Sequence, residues 1–271
     1  MTKSRVTVIK VGGAVVEEPD KLEQLLEGFS AVPGLPASRS ARQINNGEHV
    51  VLVHGGGRSA TRIASLMGIE SRMVDGRRIT DEPMLDVVTM VYGGLVNKRI
   101  VAKLQARGVN ALGVTGADLD LIRSHKRPVG SVDYGWVGDV ERADGKALSD
   151  LIYKGIVPVV APLTHDGRGH LLNTNADTMA AQVAEALAPF FDVTLTFAFE
   201  KAGVLLDADD DTSVIPRLSH EEYLTLKEKG VIAGGMIPKL DNAFEAISKG
   251  VGRVVITSAS DLSGQGGTTL E

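Results

Sequence analysis

The stretch TVIKVGG, residues 7–13, decides the fold, because a short β-branched run ends there in a glycine pair. Such a run is typical of a buried strand, and the glycines allow a tight turn after it. Residues 50–57, VVLVHGGG, repeat the arrangement. After each turn, apolar residues recur at the i, i+3, i+4 and i+7 spacing of a helix face: Leu22, Leu25, Leu26 and Phe29, then Ala60, Ile63, Ala64 and Met67.

Strand–turn–helix units continue along the chain. Further strands are predicted at 109–114, 156–161, 192–199 and 253–257. This alternation favours an α/β fold with a largely parallel sheet and helices on both faces. Ligand sites in such folds lie at the carboxyl ends of the strands.

Three segments interrupt this pattern. Residues 33–48 are polar and turn-rich, which predicts a surface loop. Residues 123–145 contain several Gly, Asp and Pro residues and indicate hairpins, and residues 164–170 indicate a tight turn between two strands. We expect one domain over 1–271, with a boundary between two lobes near residue 174.

Composition excludes several classes of protein. The 271 residues carry a net charge of −5 and have no long basic run, so nucleic acid is not an expected partner. The chain contains no cysteine, which excludes disulfides and thiol catalysis and fits a reducing cytoplasm. No apolar run reaches the roughly 18 residues of a membrane span. We therefore expect a cytoplasmic protein with no membrane partner.

The helix predicted around 82–106 is apolar on more than one face. A helix of this kind lies either deep in the core or at a contact between subunits. The sequence leaves both interpretations open.

Candidate chemistry begins at the glycine turns. Gly12-Gly13 and Gly55-Gly56-Gly57 each join a strand to a helix, where backbone N–H groups and the helix dipole favour an anion. One such turn is explained equally well by tight packing, but two successive ones favour a phosphate site. Lys10 lies just before the first turn, where it either reaches solvent or contacts the same anion.

Three later segments add polar groups. Asn173-Thr174-Asn175-Ala176-Asp177 has the composition of a helix N-cap, with Asp177 in the first turn and Asn173 free to bind a substrate. Gly234-Gly235 precedes Lys239 and a predicted helix, which suits either a nucleotide site or a plain helix start. Arg78 can hold a carboxylate at two points or simply be exposed.

Together these segments resemble the amino-acid kinase family, and within it the acylglutamate kinases of arginine biosynthesis. The resemblance covers essentially the whole chain and rests on an ordered set of motifs: KVGG (10–13), HGGGR (54–58), GRRIT (76–80), NTNAD (173–177), GGMIPKL (234–240) and GGTT (266–269). The family implies a three-layer αβα sandwich with a central, mostly parallel sheet. It implies a homodimer formed through a central helix pair, an N-terminal lobe at about 1–174 for the acyl-amino acid and a C-terminal lobe at about 175–271 for ATP.

The resemblance also implies roles for single residues. Lys10 and Lys239 match the lysines that stabilise the transferring phosphoryl group, and Asp177 matches the aspartate that orients them. The matched acyl-amino-acid site comprises Gly56, Gly57, Arg78 and Asn173, with Arg78 on the α-carboxylate. The matched nucleotide site comprises Gly12, Gly13, Gly203, Gly235 and Met236.

The implied reaction moves the γ-phosphoryl group of ATP, with Mg²⁺, to the γ-carboxylate of an N-acylglutamate. Both reactants are anions, so charge neutralisation and positioning dominate, and an ionised carboxylate needs no general base. Residues 199–204, FEKAGV, depart from the TDVxGV of many relatives, and 115–120, TGADLD, lack a common lysine. Such departures are compatible with a succinyl instead of an acetyl group. The alternatives are a sister kinase for aspartate, glutamate, carbamate or UMP, a non-catalytic sensor and a structural protein.

Overall fold

The computed structural model describes residues 3–30, 48–74, 76–262 and 266–271. The loop predicted at 33–48 lies outside these ranges, apart from its last residue, Glu48. In chain order the strands are β1 (Arg5–Val11), β2 (Glu48–His54), β3 (Met73–Val74), β4 (Arg77–Arg78), β5 (Ala111–Val114), β6 (Ile122–Lys126), β7 (Gly138–Ala143), β8 (Val157–Val160), β9 (Leu163–His165), β10 (Leu171–Asn173), β11 (Asp192–Phe199), β12 (Arg217–Leu218), β13 (Arg253–Ser258) and β14 (Thr268–Leu270).

The α-helices of the described ranges are α1 (Gly13–Glu17), α2 (Pro19–Ser30), α3 (Gly57–Leu66), α4 (Glu82–Val88), α5 (Asn97–Ala106), α6 (Gly145–Tyr153), α7 (Ala176–Leu187), α8 (His220–Glu228) and α9 (Met236–Ser248). A π-helical segment, Thr89–Val96, joins α4 to α5, and a short 3-10 turn spans Asp118–Asp120. Within these ranges, no helix combines the length and the apolar character that crossing a bilayer requires.

An eight-stranded sheet forms the centre, in the order β12-β14-β13-β11-β1-β2-β8-β5. Neighbouring strands are parallel except for the antiparallel β13–β14 pair. The predicted sheet of mostly parallel strands is therefore confirmed, and each of the six strands expected from sequence lies in it. Parallel strands need crossovers, which the intervening helices supply.

Side chains alternate between the two faces of the sheet and enter two separate apolar cores. In β1, Val6 and Val8 belong to the core under α6 to α9, whereas Ile9 and Val11 belong to the core under α1 to α5. Helices thus cover both faces, as the αβα prediction requires. Because side chains two residues apart share a face, Lys10 lies on the α7 side with Val6 and Val8.

A smaller sheet, in the order β10-β9-β6-β7, covers the segments that interrupt the strand–helix pattern. The antiparallel β6–β7 pair confirms a hairpin within 123–145, and the antiparallel β9–β10 pair confirms the tight turn at 164–170. An isolated bridge between Val137 and Asn173 joins the end of β10 to the segment just before β7.

The helix predicted at 82–106 is one continuous rod made of α4, the π-helical segment and α5. Most of its apolar side chains are buried, as the core interpretation requires. Met90 and Leu95, however, remain 50% and 36% exposed. β1 and β11 pair with each other, so the two halves of the chain share the central sheet. The lobe boundary near residue 174 stays a prediction.

Candidate active site

The two glycine turns meet at the carboxyl ends of β1 and β2. The Gly55 N–H donates to the Val11 carbonyl at 3.1 Å, and a Cβ on Gly13 would lie 3.4 Å from the nitrogens of Gly56 and Gly57. A Cβ on Gly55 would lie 3.1 Å from the Gly13 nitrogen, so the close approach of the two turns favours glycine at these positions. Gly55, Gly56 and Gly57 line one cavity.

The N-terminus of α3 follows the second turn. Gly57 is its first residue, and the Ser59 N–H donates to the Glu17 carboxylate of α1 at 2.5 Å. Glu17 therefore satisfies one free N–H group of this helix end. The N–H groups nearer the turn remain available for an anion.

A buried carboxylate joins the two halves of the site. Asn175 caps α7 by accepting the Asp177 N–H at 2.7 Å, which places Asp177 in the first turn, as predicted. One Asp177 oxygen lies 2.6 Å from Lys10 Nζ, and the other lies 3.5 Å from Lys239 Nζ. Three elements, β1, α7 and α9, thus bring two ammonium groups to one carboxylate.

The protonation state of Asp177 follows from its neighbours. Burial alone would raise the pKa of this carboxyl, but the charges and hydrogen bonds of Lys10 and Lys239 outweigh burial, and the net pKa is lowered. Asp177 is therefore ionised at neutral pH. Two positive charges face one negative charge, so the cluster keeps a net charge of about +1.

Arg78 ends β4 beside the second glycine turn and is 7% exposed. Its guanidinium donates to the Gly57 carbonyl at 2.8 Å, to the Thr61 hydroxyl at 2.9 Å and to Ser71. All three partners are neutral. Within the part of the chain that the structure describes, Arg78 has no carboxylate within ion-pair distance, which suits it to an anionic ligand.

Asn173 is held against the same strand end. Its Nδ2 donates to the Thr80 hydroxyl at 2.9 Å, and that hydroxyl donates to the Arg78 carbonyl at 3.1 Å. Thr80 is fully buried. The predicted ligand residues Arg78 and Asn173 are therefore connected through a threonine that sequence reasoning did not single out.

These residues surround a cavity of about 220 Å³. Six of the predicted site residues line it: Lys10, Gly56, Gly57, Arg78, Asn173 and Asp177. Arg77, Arg127 and Asp139 line it as well. Arg127 pairs with Asp139, and this hydrogen bond is the main cause that lowers the pKa of the Asp139 carboxyl.

The predicted nucleotide residues are not among those that line this cavity. The Gly12 N–H donates to the Ala198 carbonyl at 3.2 Å, and Gly13 packs against the second glycine turn. Gly235 is the N-cap of α9 and Met236 is its first residue, and Lys239 Nζ lies 3.5 Å from the Gly235 carbonyl. Gly203 instead packs on Thr268, whose Oγ1 would lie 2.7 Å from an added Cβ.

The atypical loop after β11 has its own charge partners. Glu200 accepts from Lys21 at 3.2 Å, and Lys201 pairs with Asp211 at 2.5 Å. All four side chains are largely exposed. The departures from the family pattern therefore form surface ion pairs here.

Sequence reasoning also missed a buried relay behind the glycine turn. The His54 ring bonds to the Gly55 carbonyl at 2.8 Å and to Asn97 at 3.1 Å, and Asn97 donates to the Val159 carbonyl at 2.9 Å. Burial lowers the pKa of His54 to about 4. The HGGG motif drew attention to His54, but its partner Asn97 lies 43 residues away, and no local pattern connects them.

Comparisons with known proteins identify the family of the chain. The model of the amino acid kinase family matches residues 5–258, and the chain belongs to that family. A protein named acetylglutamate kinase from Bacteroides fragilis is 62% identical over 269 residues, covering 99% of this chain and 98% of that protein. One of the same name from Bacteroides thetaiotaomicron is 60% identical over 269 residues and covers 99% of each.

Among solved structures, the N-acetylglutamate synthase of Neisseria gonorrhoeae, complexed with coenzyme A and N-acetyl-glutamate, superposes with a TM-score of 0.78. The match covers 99% of this chain and 60% of that one at 23% identity. At this identity the likeness supports the fold alone.

Asp177→Asn tests the charge cluster. The change leaves Lys10 and Lys239 facing each other without a carboxylate, so we expect the free energy of unfolding to fall by about 3 kcal/mol at neutral pH. Urea denaturation measures this difference. The double change Lys10→Met with Asp177→Leu removes both charges and should recover most of the loss. An Asp177→Asn protein that unfolds at the same urea concentration as the unchanged chain would contradict the cluster.

Proposed function

We propose that this protein is an ATP-dependent kinase that phosphorylates the γ-carboxylate of N-acetyl-L-glutamate to the acyl phosphate, in arginine biosynthesis. The relatives named acetylglutamate kinase support the substrate, because identity reaches 62% over nearly the whole of both chains. The observation that carries the proposal is the convergence of Lys10 and Lys239 on Asp177 beside two glycine turns.

The charges suit phosphoryl transfer between two anions. A carboxylate and a triphosphate repel each other, and the transition state spreads negative charge over the transferring group. Lys10 and Lys239, drawn together by Asp177, are positioned to neutralise that charge from two sides. The attacking carboxylate is already ionised at neutral pH, so no general base is required.

We assign the acyl-amino acid one orientation in the cavity. We place the γ-carboxylate at the N–H groups of Gly56 and Gly57, close to Lys10, and the α-carboxylate on Arg78. Asn173 is positioned to bind the acyl-amide. Holding both carboxylates fixes the attacking oxygen, and such positioning supplies much of the rate of a two-substrate reaction.

ATP is assigned to Gly12, Gly13, Gly203, Gly235 and Met236. Mg²⁺ bound with the nucleotide would neutralise phosphate charge. No group of three or more acidic or histidine side chains within the described ranges could hold a metal by itself. This donor set fits an ion that is held mainly by the nucleotide. The cytoplasmic location stays a prediction.

The acyl group has one alternative with structural support. Arg77 and Arg127 line the same cavity as Arg78. An N-succinyl group carries a further carboxylate, which these guanidiniums could bind, although Asp139 already pairs with Arg127. The relatives favour acetyl, and a direct comparison decides.

A substrate panel tests the function. We expect ADP release with ATP, Mg²⁺ and N-acetyl-glutamate, and less than about a hundredth of that rate with free glutamate, aspartate or carbamate. N-succinyl-glutamate is run in parallel.

Lys239→Ala should lower kcat by about a hundredfold, because it removes a charge at the transferring group. ATP binding without turnover of any acid would instead indicate a sensor, and activity in Lys239→Ala equal to that of the unchanged chain would contradict the assigned machinery.

Arg78→Ala tests the assigned orientation. Because Arg78 binds the α-carboxylate in both ground and transition states, we expect the KM for the acyl-amino acid to rise by about tenfold or more, with a small change in kcat. Steady-state kinetics at saturating ATP measure both constants. Arg217→Ala, at a 77% exposed side chain, is the matched control. An unchanged KM would place the α-carboxylate elsewhere.

We also propose that two chains associate through the helix at 82–106. Met90 and Leu95 are exposed apolar residues on this helix, and Leu112 of the edge strand β5 is 40% exposed. Lys98 donates to the Gly113 carbonyl at 2.9 Å, so the helix and the edge strand adjoin. An apolar surface of this kind at a sheet edge suits a symmetric partner.

Light scattering at micromolar protein concentration tests the association. The unchanged chain should have twice the mass of one chain. Leu95→Asp buries a charge in the contact and should yield monomers. Leu206→Asp, at a 57% exposed residue of the other half, should remain dimeric. A monomeric unchanged chain would rule the contact out.

A further inference from the structure

We infer that Tyr92 is a positioning and specificity-determining residue of the active site, because it packs on the glycine turn and lines the cavity beside Arg78. The inference rests on the proposed function. Tyr92 lies in the π-helical segment, is 5% exposed and lines the cavity together with Lys10, Gly56 and Arg78. None of the sequence motifs includes it.

The first contact is with the glycine turn. A Cβ on Gly56 would lie 2.8 Å from Tyr92 Cδ1 and 3.1 Å from Cε1, so the ring packs directly on the Gly56 backbone. Val96 Cγ2, one turn further along the rod, would lie 3.5 Å from the same Cβ. The rod therefore supports the back of the turn that we assign to the γ-carboxylate.

The π-helical segment explains how both side chains reach Gly56. Buried residues recur every four positions along the rod: Met84, Val88, Tyr92, Val96, Ile100 and Leu104. In an α-helix four residues turn through about 400°, so this stripe would drift by about 40° at each step. A π-helix holds more residues per turn and reverses the drift, which keeps Tyr92 and Val96 on one face.

The second neighbour is Arg78. Tyr92 and Arg78 line the same cavity, and the positive charge of the guanidinium acts to lower the pKa of the phenol. Burial is the larger effect, and the net pKa is raised. Tyr92 is therefore neutral and lies beside a guanidinium that donates to Gly57, Thr61 and Ser71.

The two neighbours of Tyr92 are assigned to opposite ends of the substrate. The Gly56 backbone is assigned to the γ-carboxylate, and the Arg78 guanidinium is assigned to the α-carboxylate. Its ring thus forms the wall along the aliphatic part of the substrate between the two acidic groups. A substrate that is shorter by one methylene, such as N-acetyl-aspartate, cannot reach both the Gly56 turn and Arg78 while it packs on the Tyr92 ring. Tyr92 therefore favours glutamate derivatives over aspartate derivatives.

Two substitutions separate the roles of the hydroxyl and the ring. Tyr92→Phe keeps the ring on Gly56 and removes the hydroxyl beside Arg78. We expect its KM for N-acetyl-glutamate to rise by about fivefold, with kcat within about twofold and the KM for ATP unchanged. Tyr92→Leu removes the wall, and the preference in kcat/KM for N-acetyl-glutamate over N-acetyl-aspartate should fall by about tenfold.

Tyr153→Phe is the matched control, because Tyr153 is 54% exposed at the end of α6. It should leave all constants unchanged. Kinetic constants of Tyr92→Phe equal to those of the unchanged chain, or a kcat and both KM values that worsen together, would overturn the inference while leaving the kinase activity standing. An unchanged chain that phosphorylates none of the acids would overturn the proposed function, and this inference with it.

Discussion

One buried carboxylate between two ammonium groups is the interaction on which the site depends. Only 7% of Lys10 is accessible to solvent, and an unpaired ammonium group there would be strongly unfavourable. Asp177 makes that burial tolerable, and it draws Lys239 from α9 to the same point. Asp177 and the two lysines stabilise one another, and together they keep an excess of positive charge. An excess positive charge inside a small cavity favours an anion, and most of all one whose negative charge grows during the reaction.

The fold supplies this arrangement through strand direction and side-chain alternation. Lys10 faces α7 because it lies two residues after Val8 on a strand that is buried on both faces. Parallel pairing of β1 and β2 brings both glycine turns to one end of the sheet, where they touch. The first turns of α7 and α9 begin at the same end, so Asp177 and Lys239 need no long loops to reach it. A register shift of one residue in β1 would turn Lys10 to the opposite core.

Local patterns explain which parts could be predicted from sequence. The strand–glycine–helix units, the N-cap region at 173–177 and the helix around 82–106 depend on neighbours within a few residues, and those predictions are confirmed. The motif set, taken as a resemblance, named Lys10, Asp177 and Lys239, which the structure brings together. Thr80, Asn97 and Tyr92 were missed because their roles come from contacts across the fold. A helical period of 3.6 cannot anticipate a π-helical segment that redirects Tyr92 onto Gly56.

The histidine beside the glycine turn shows what kind of catalyst this fold builds. His54 is the residue that a search for a general base would select, since it precedes Gly55 and adjoins the cavity turn. Burial holds its pKa at about 4, and both ring nitrogens are occupied by the Gly55 carbonyl and the Asn97 amide. It therefore remains neutral and fixes the turn, and it has no free nitrogen with which to accept a proton. A site that contains fixed cations and fixed N–H groups, but keeps its nearest histidine out of acid–base chemistry, is suited to a nucleophile that is ionised before it binds.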